Sequence, residues 1–519
     1  MIASNQHSCD RQFRCWLFLI IAFGLCLRLV YFSEDLGGSH VFRQAMVANQ
    51  IDTLKRGPYP GPRLGFLERY DQVYDYGVRF YDTPIYQYLD AKISDLLKID
   101  GVKAGRLVNL LCYAGISLVF YLLLVEIGLG APVALLTILL FAISPLSIQN
   151  FIGIYPDTLA SFAAILSFFL LLRYERRRSW SNFILALLFG FVCALIKSSI
   201  YLIFFAAYVW NLAWTERARI FRRVDLVFFG FVMACSVVIF VLERSYFNYG
   251  ALFSSDVHNS ESLRLDWFLG SGSQRLDPAL WIALGNRFLF EYMYPAFAVF
   301  AVTGLGYSAW QLLRTRAEPY ITISGLVVGC CLTILAFFYV IVNHDYYAIP
   351  FLPVYCTLVS VGMFRLYAMM PKSPRLLKGY LAVAVAAVSG SVYYAYSQRF
   401  LNYNWNKMII LTGKSLQELV PENGYLFYFH GADYVDPEYL YFARRRGVLA
   451  NIAKADNAMV AGIIRDHRWD PNNTYLLANA TRLKPDQQEI LKGKLSDYEL
   501  REVGTSIDNG IVYKLVGKQ

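Results

Sequence analysis

Stretches of about twenty consecutive apolar residues recur along this chain, and no other feature limits its fold so severely. A bilayer core of ~30 Å takes ~20 apolar residues per spanning helix. Lipid offers backbone groups no water, so a spanning segment has to bond internally. The runs lie near 15–33, 106–126, 131–149, 157–173, 182–197, 199–214, 224–242, 288–312, 320–342, 347–368 and 377–396. They predict an all-α polytopic membrane domain of about eleven transmembrane helices. Of the 519 residues, 57% are hydrophobic. Soluble proteins carry roughly 45–50%, so the surplus needs a membrane.

A net charge of +10 would suit nucleic acid, but the basic residues sit in short clusters between apolar runs. If the N-terminal tail with Arg11 and Arg14 is cytoplasmic, the basic segments 173–178, 217–223, 314–316 and 372–378 all fall on the cytoplasmic side. That is the asymmetry the positive-inside rule demands, and it agrees with a helix count obtained separately. Nucleic acid is therefore not an expected partner. The first apolar run has no small-residue cleavage site and reads as a retained helix. The nine cysteines lie in the N-terminal tail or in apolar segments, which excludes a disulfide framework or a zinc pattern.

The opposite, extracytoplasmic side then receives the long loops 34–105 and 243–287, the turn Tyr155-Pro156-Asp157, a turn near Lys197, Asn343-His344-Asp345, and everything from about 397. The expected organisation is a transmembrane domain over 1–396 and a small extracytoplasmic α/β domain over 397–519. Within the first loop, 40–54 places His40, Gln44, Val47, Ile51 and Leu54 on one helical face. Thr83-Pro84 looks like a helix start. After it, Ile85, Tyr88, Leu89, Ile93, Leu96 and Leu97 form an apolar stripe opposite Gln87, Asp90, Ser94, Asp95 and Lys98, a pattern suited to the membrane interface. In the C-terminal region, strand patterns at 425–429, 448–452, 475–478 and 511–515 alternate with helical ones at 437–446 and 484–493. This suggests a Rossmann-like domain without a GxGxxG loop.

Ionisable residues beside hydrocarbon are costly and serve as functional candidates. Asp157 opens a helix, where the macrodipole alone favours an acid; it is equally placed to accept a proton from an acceptor hydroxyl. Lys197 follows an apolar run and either snorkels to headgroups or holds a phosphate. Arg28, about one turn from the end of the first helix, carries the same two readings. His40 and Arg43-Gln44 head the first loop helix. No Ser/His/Asp order, P-loop or metal-spaced cluster competes with this set.

The order and spacing of Asp82-Thr-Pro-Ile-Tyr86-Gln-Tyr-Leu89, Tyr155-Pro-Asp157, Ala194-Leu-Ile-Lys197 and His344-Asp345-Tyr346-Tyr347 with Pro350 and Pro353 resemble the GT-C superfamily of integral-membrane glycosyltransferases. Over roughly 15–400 the chain is similar to the protein O-mannosyltransferases and the lipid A aminoarabinose transferases. The resemblance implies inverting transfer of a sugar from a polyprenyl-phosphate donor to a lipid, glycan or protein acceptor, in a bacterial plasma (inner) membrane. It implies Lys197 near the donor phosphate, with Arg28, Arg43 or His344 assisting. Gln44, Asp345, Tyr346, Tyr347 and Tyr86 would line the acceptor or the donor sugar. Relatives carry an acid at the head of the first loop helix, whereas this chain reads Gly38-Ser-His40-Val-Phe-Arg43-Gln44. Either His40 replaces that acid, or Asp157 or Asp82 is the base. No cofactor is implied, and a divalent metal stays open without ligand spacing to indicate it. The rival readings are a transporter or flippase of a lipid-linked saccharide and a non-catalytic relative. Transporters tend to show repeated halves with ionisable residues at mid-membrane, and this chain shows neither.

Overall fold

The computed structural model describes residues 2–38, 40–56, 83–216, 230, 234, 269–292, 295–370, 373–430, 438–451, 473–478, 493, 498–507 and 511–517. Among these, eight helices are long and apolar enough to cross a membrane, or nine if the bent pair Ala131–Ile143 and Pro145–Ile152 is one span. The helices Ile2–Leu29, Gly101–Glu126, Pro156–Arg177, Ala296–Thr315, Glu318–Ala336, Leu352–Met369 and Pro374–Leu419 follow the apolar runs of the sequence. The run at 224–242 lies almost wholly outside the described residues.

One of the eight is two spans joined. Trp180–Glu216 is continuous except at Lys197, whose φ of −157° and ψ of 87° are extended. Ser167 Oγ donates to Ala186 O at 2.7 Å and lies 3.3 Å from Tyr201 Oη. In a straight helix residues 186 and 201 would stand about 22 Å apart along the axis. A single serine reaches both, so the chain doubles back at Lys197. The paired runs 182–197 and 199–214 are the two arms of this helical hairpin.

Contacts divide the chain into two compact units, 1–34 with 81–398 and 35–80 with 399–519. In the first unit, Pro156–Arg177 packs along the hairpin, Glu318–Ala336 packs on the hairpin, and Ala296–Thr315 packs on Leu352–Met369. The last pair touches through glycine. A Cβ on Gly304 would fall 1.8 Å from Leu358 O, and one on Gly362 would fall 1.9 Å from Phe300 O. Lipid supplies no hydrophobic drive between helices, so backbone approach and polar bonds hold them. Thr322 Oγ1 donates to Asn211 Oδ1 at 2.9 Å across such a contact. Thr322→Val is expected to cost about 0.6–1.7 kcal/mol, read as a lower melting temperature in detergent. An unchanged melt would show that the bond contributes nothing.

In the second unit, five strands form a sheet in the order β2-β1-β3-β5-β4, with β1 Tyr425–His430, β2 Arg446–Asn451, β3 Thr474–Ala478, β4 Tyr498–Thr505 and β5 Ile511–Gly517. The first three strands are parallel, and β5 runs antiparallel to both β3 and β4. Leu416 and Val420, at the end of Pro374–Leu419, enter the sheet's core with Leu426, Tyr428, Tyr475 and Val512. Arg445 closes that helix end by donating to Gln417 O and Val420 O, carbonyls that lack partners within the helix. The sequence pattern missed β4. It is an edge strand with exposed Glu499 and Arg501, and charged edges are how sheets avoid further pairing. Helix Glu438–Ala443 falls within the expected 437–446, while the 484–493 pattern lies outside the described residues except for 493.

Candidate active site

The site is built where three chain breaks meet in the first unit. The first is the start of Pro156–Arg177. Tyr155 is extended, Pro156 takes the first helical position where a missing N–H costs nothing, and Asp157 falls in the first turn. The second is the hairpin tip at Lys197. The third is the turn at His344 leading into the short 3-10 helix Asp345–Phe351.

Their side chains form one connected group. Lys197 Nζ stands 3.9 Å from Asp157 Oδ1, with Lys197 8% exposed and Asp157 fully buried. The same ammonium lies 4.6 Å from the centre of the Tyr347 ring, a cation–π distance. Tyr347 stacks near Tyr346 with centroids 5.0 Å apart, and His344 lies 5.2 Å from Tyr346. Tyr346 in turn stacks on Tyr155 at 5.6 Å, two residues before Asp157. An acid and a base held almost dry against an aromatic wall interact more strongly than they would in water. A spacing of 3.9 Å is at the long end for an ion pair.

Of the residues expected from sequence, Asp157, Lys197, His344, Tyr346 and Tyr347 belong to this unit and are joined by these contacts, and Asp345 is the buried residue between His344 and Tyr346 in the chain. Asp82 lies outside the described residues. His40, Arg43 and Gln44 belong to the second unit. There His40 has a φ of 51° and its carbonyl accepts from Gln44 N, while Arg43 and Gln44 are buried and Gln44 Nε2 donates to Gly37 O.

Two further expected residues are drawn into the fold. Arg28 does not snorkel to headgroups. It is 1% exposed and lies 3.8 Å over the Tyr113 ring. It donates to Gly24 O, to Ala142 O and to Ser147 Oγ. Ala142 and Ser147 flank the 60° bend between Ala131–Ile143 and Pro145–Ile152, so the guanidinium braces the bend. Tyr86 is fully buried, its hydroxyl bonded to Asn109 Oδ1 at 2.9 Å and to Gly105 O at 3.1 Å; it frames the site.

The sequence reading passed over Arg106, Asn109 and Asp90. The first two stand a helical turn apart on Gly101–Glu126 and grip the strand of backbone leading to Asp157. Arg106 Nε donates to Ile152 O at 3.1 Å, and Asn109 Nδ2 donates to Gly153 O at 2.7 Å. Their signal was present: polar residues at the head of an apolar run. Asp90 lay on the face of Ile85–Leu97 opposite the apolar stripe. In the structure that polar face is the buried one, with Gln87, Asp90 and Ser94 packed inward, while Leu89, Leu96 and Leu97 are exposed. Burial pushes the Asp90 carboxyl well above the usual carboxylate range, and a hydrogen bond from Tyr86 opposes this. Among the described residues, no group of three or more His, Cys, Asp or Glu side chains could hold a metal ion.

A family model described as dolichyl-phosphate-mannose-protein mannosyltransferase matches residues 68–248, a span that holds both Asp157 and Lys197. Among solved structures, ArnT from Cupriavidus metallidurans bound to undecaprenyl phosphate superposes with a TM-score of 0.57 at 14% identity, covering 97% of this chain and 99% of that one. The archaeal oligosaccharyltransferase AglB from Archaeoglobus fulgidus, in complex with an inhibitory peptide and a dolichol-phosphate, gives 0.55 at 14% identity, covering 98% of this chain and 74% of that one. The apo form of the Archaeoglobus fulgidus oligosaccharyltransferase gives 0.56 at 13%, with the same coverage of 98% and 74%. No curated protein matches the chain by sequence. The GT-C-like architecture that the motifs implied is the architecture of this chain.

Proposed function

We propose that this protein is an inverting glycosyltransferase that takes a sugar from a polyprenyl-phosphate carrier and passes it to a lipid, glycan or protein hydroxyl at the extracytoplasmic face of a bacterial inner membrane. The observation that carries the reading is the buried Asp157–Lys197 pair, 3.9 Å apart at two chain breaks and backed by Tyr346 and Tyr347. Asp157 takes the proton from the acceptor hydroxyl as its oxygen attacks the anomeric carbon from the face opposite the phosphate. The C–O bond to the carrier phosphate breaks, and its electron pair leaves with the phosphate. Lys197 faces the charge that develops there, and interactions that strengthen as charge develops accelerate the step. In this reading Asp345 and the aromatic wall of Tyr155, Tyr346 and Tyr347 line the sugar, and His344 assists at the phosphate. His40 and Asp82 are the other candidates for the base, Arg43 a candidate for the donor phosphate, and Gln44 one for the acceptor or the donor sugar. The match to a mannosyltransferase family model and the carrier lipids bound to the similar structures favour this reading over a flippase.

Orientation rests on the far end of the same helix. Pro156–Arg177 has 22 residues, about 33 Å of helix, and Arg173 and Arg176 at its other end pair with Glu126 and Glu318. With the basic end cytoplasmic, Asp157 faces outward. A reporter active only outside the cytoplasm is expected to work when fused after Gln519 and to stay silent after Arg177. The reverse pattern would move the site to the cytoplasm. The activity itself is tested with purified protein, a panel of undecaprenyl-phosphate hexoses and membrane extract as acceptor source. Sugar transfer with release of undecaprenyl phosphate is expected. Passage of the intact lipid-sugar across a vesicle bilayer without release would establish the transporter instead.

A further inference from the structure

We infer that Asn109 is a positioning residue that holds Asp157 in register with Lys197; this rests on Asp157 being the reactive carboxylate of the proposed site. Asn109 is fully buried on Gly101–Glu126. Its side chain serves three other chain segments. Oδ1 accepts from Thr158 Oγ1 at 2.5 Å and from Tyr86 Oη at 2.9 Å, while Nδ2 donates to Gly153 O at 2.7 Å. Two of those partners bracket Asp157: Thr158 follows it directly, and Gly153 begins the four residues before it. Thr158 Oγ1 is also 2.7 Å from Tyr155 O, so one amide ties together both sides of the turn that presents the carboxylate.

An amide suits this place because only Asn or Gln offers a donor and a double acceptor on one short planar group. Leucine would fill the volume and leave the Gly153 carbonyl and the Thr158 hydroxyl without their partner. Arg106, one turn earlier, holds Ile152 O and the carbonyls of Phe32 and Glu34. Its grip fixes where the segment lies, and Asn109 fixes how the first turn of the Asp157 helix is rotated. Tyr86, wedged beside the buried Asp90, braces Asn109 from the opposite side and restricts its amide to this orientation. A lost anchor would let the carboxylate shift while leaving the Lys197 hairpin tip, Tyr346 and Tyr347 where they are.

The test uses the full-length protein and whichever undecaprenyl-phosphate hexose the parent turns over. In Asn109→Ala, kcat is expected to fall roughly tenfold to hundredfold, the loss typical of a misplaced reacting group. KM for the donor and the affinity for undecaprenyl phosphate should stay nearly unchanged. Thr158→Val should reproduce the loss and Thr158→Ser, which keeps the hydroxyl, should restore the rate. That pair decides the matter if Asn109→Ala does not fold. Asn109→Ala added to Asp157→Asn should cost nothing further, because residues acting through one group are not additive. A folded Asn109→Ala protein with normal kcat, a Thr158→Val protein with normal kcat, or full additivity with Asp157→Asn overturns the inference and leaves the reading of the site intact. Normal turnover by Asp157→Asn alone, or no turnover of any hexose carrier by the parent, overturns that reading first and this inference with it.

Discussion

Asp157→Asn is expected to reduce turnover by roughly 10²–10⁴, the usual cost of removing a general base, while undecaprenyl-phosphate affinity changes little. The amide keeps the shape of the carboxylate but cannot take a proton. A rival account makes Asp157 the mere counter-charge of Lys197, and the geometry gives that account weight, because Asp157 is fully buried at 3.9 Å from the ammonium. The two accounts separate on stability and rate together. Stranding one member of a buried pair costs about 3–5 kcal/mol, so Asp157→Asn should lower the melting temperature under either account. Asp157→Asn combined with Lys197→Met removes both charges and should recover most of that stability. If Asp157 is only a counter-charge, its loss acts through stability alone, and Asp157→Asn assayed well below its melting temperature should turn over nearly as fast as the parent. If Asp157 is the base, Asp157→Asn should stay inactive at that temperature although the protein is folded, and the recovered melting temperature of the double variant shows that the pair's charges account for the stability loss. His40→Ala belongs in the same series, since His40 holds the place where relatives carry an acid. A dead His40→Ala protein beside an active Asp157→Asn protein would move the base to the first loop.

The membrane architecture was legible in the sequence because one physical requirement, ~20 apolar residues per span, writes itself as a contiguous run. The hairpin at Lys197 was legible for the same reason, since two short runs abut there. What the runs do not record is which side of a helix meets protein and which meets lipid. For Ile85–Leu97 the apolar stripe suits the membrane interface, and its Leu89, Leu96 and Leu97 are exposed; what the pattern does not record is that Asp90, Gln87 and Ser94 pack inward. In a membrane protein an apolar residue is stable facing either lipid or core, so the buried side is marked by the polar groups that need partners. Arg28 is a second case: sequence places it near the end of a helix, and the structure shows it bonded across the Ala131–Ile152 bend. Its partners at the bend lie more than a hundred residues away, a separation no local pattern encodes. Asn109 was hidden for a related reason, as one amide among apolar neighbours whose three bonds exist only after the helices pack. Asp157 and Lys197 could each be nominated from their positions at helix breaks, but the 3.9 Å between them is a property of the fold.

Lys197→Met is expected to weaken undecaprenyl-phosphate binding roughly tenfold to hundredfold, because a hydrogen bond to a charged group contributes ~1.5–3 kcal/mol. Methionine keeps the length and the contact with the Tyr347 ring, so the loss reports the charge. Its effect on stability has the same sign as that of Asp157→Asn, since Asp157 is then left buried without its ammonium. Binding should therefore be measured well below the melting temperature and again in the Asp157→Asn, Lys197→Met double variant. If Lys197 serves the phosphate directly, the double variant should bind as weakly as Lys197→Met although its fold has recovered. If Lys197 serves only to steady Asp157, the double variant should bind like the parent. Lys197→Arg sharpens the distinction. Arginine preserves the charge but replaces a compact ammonium with a planar fork on a stiffer head, which suits a phosphate well and the cramped contact over Tyr347 poorly. Phosphate affinity near that of the parent with a reduced rate would then show that binding needs only a cation at this tip, whereas turnover needs the ammonium set at its distance from Asp157.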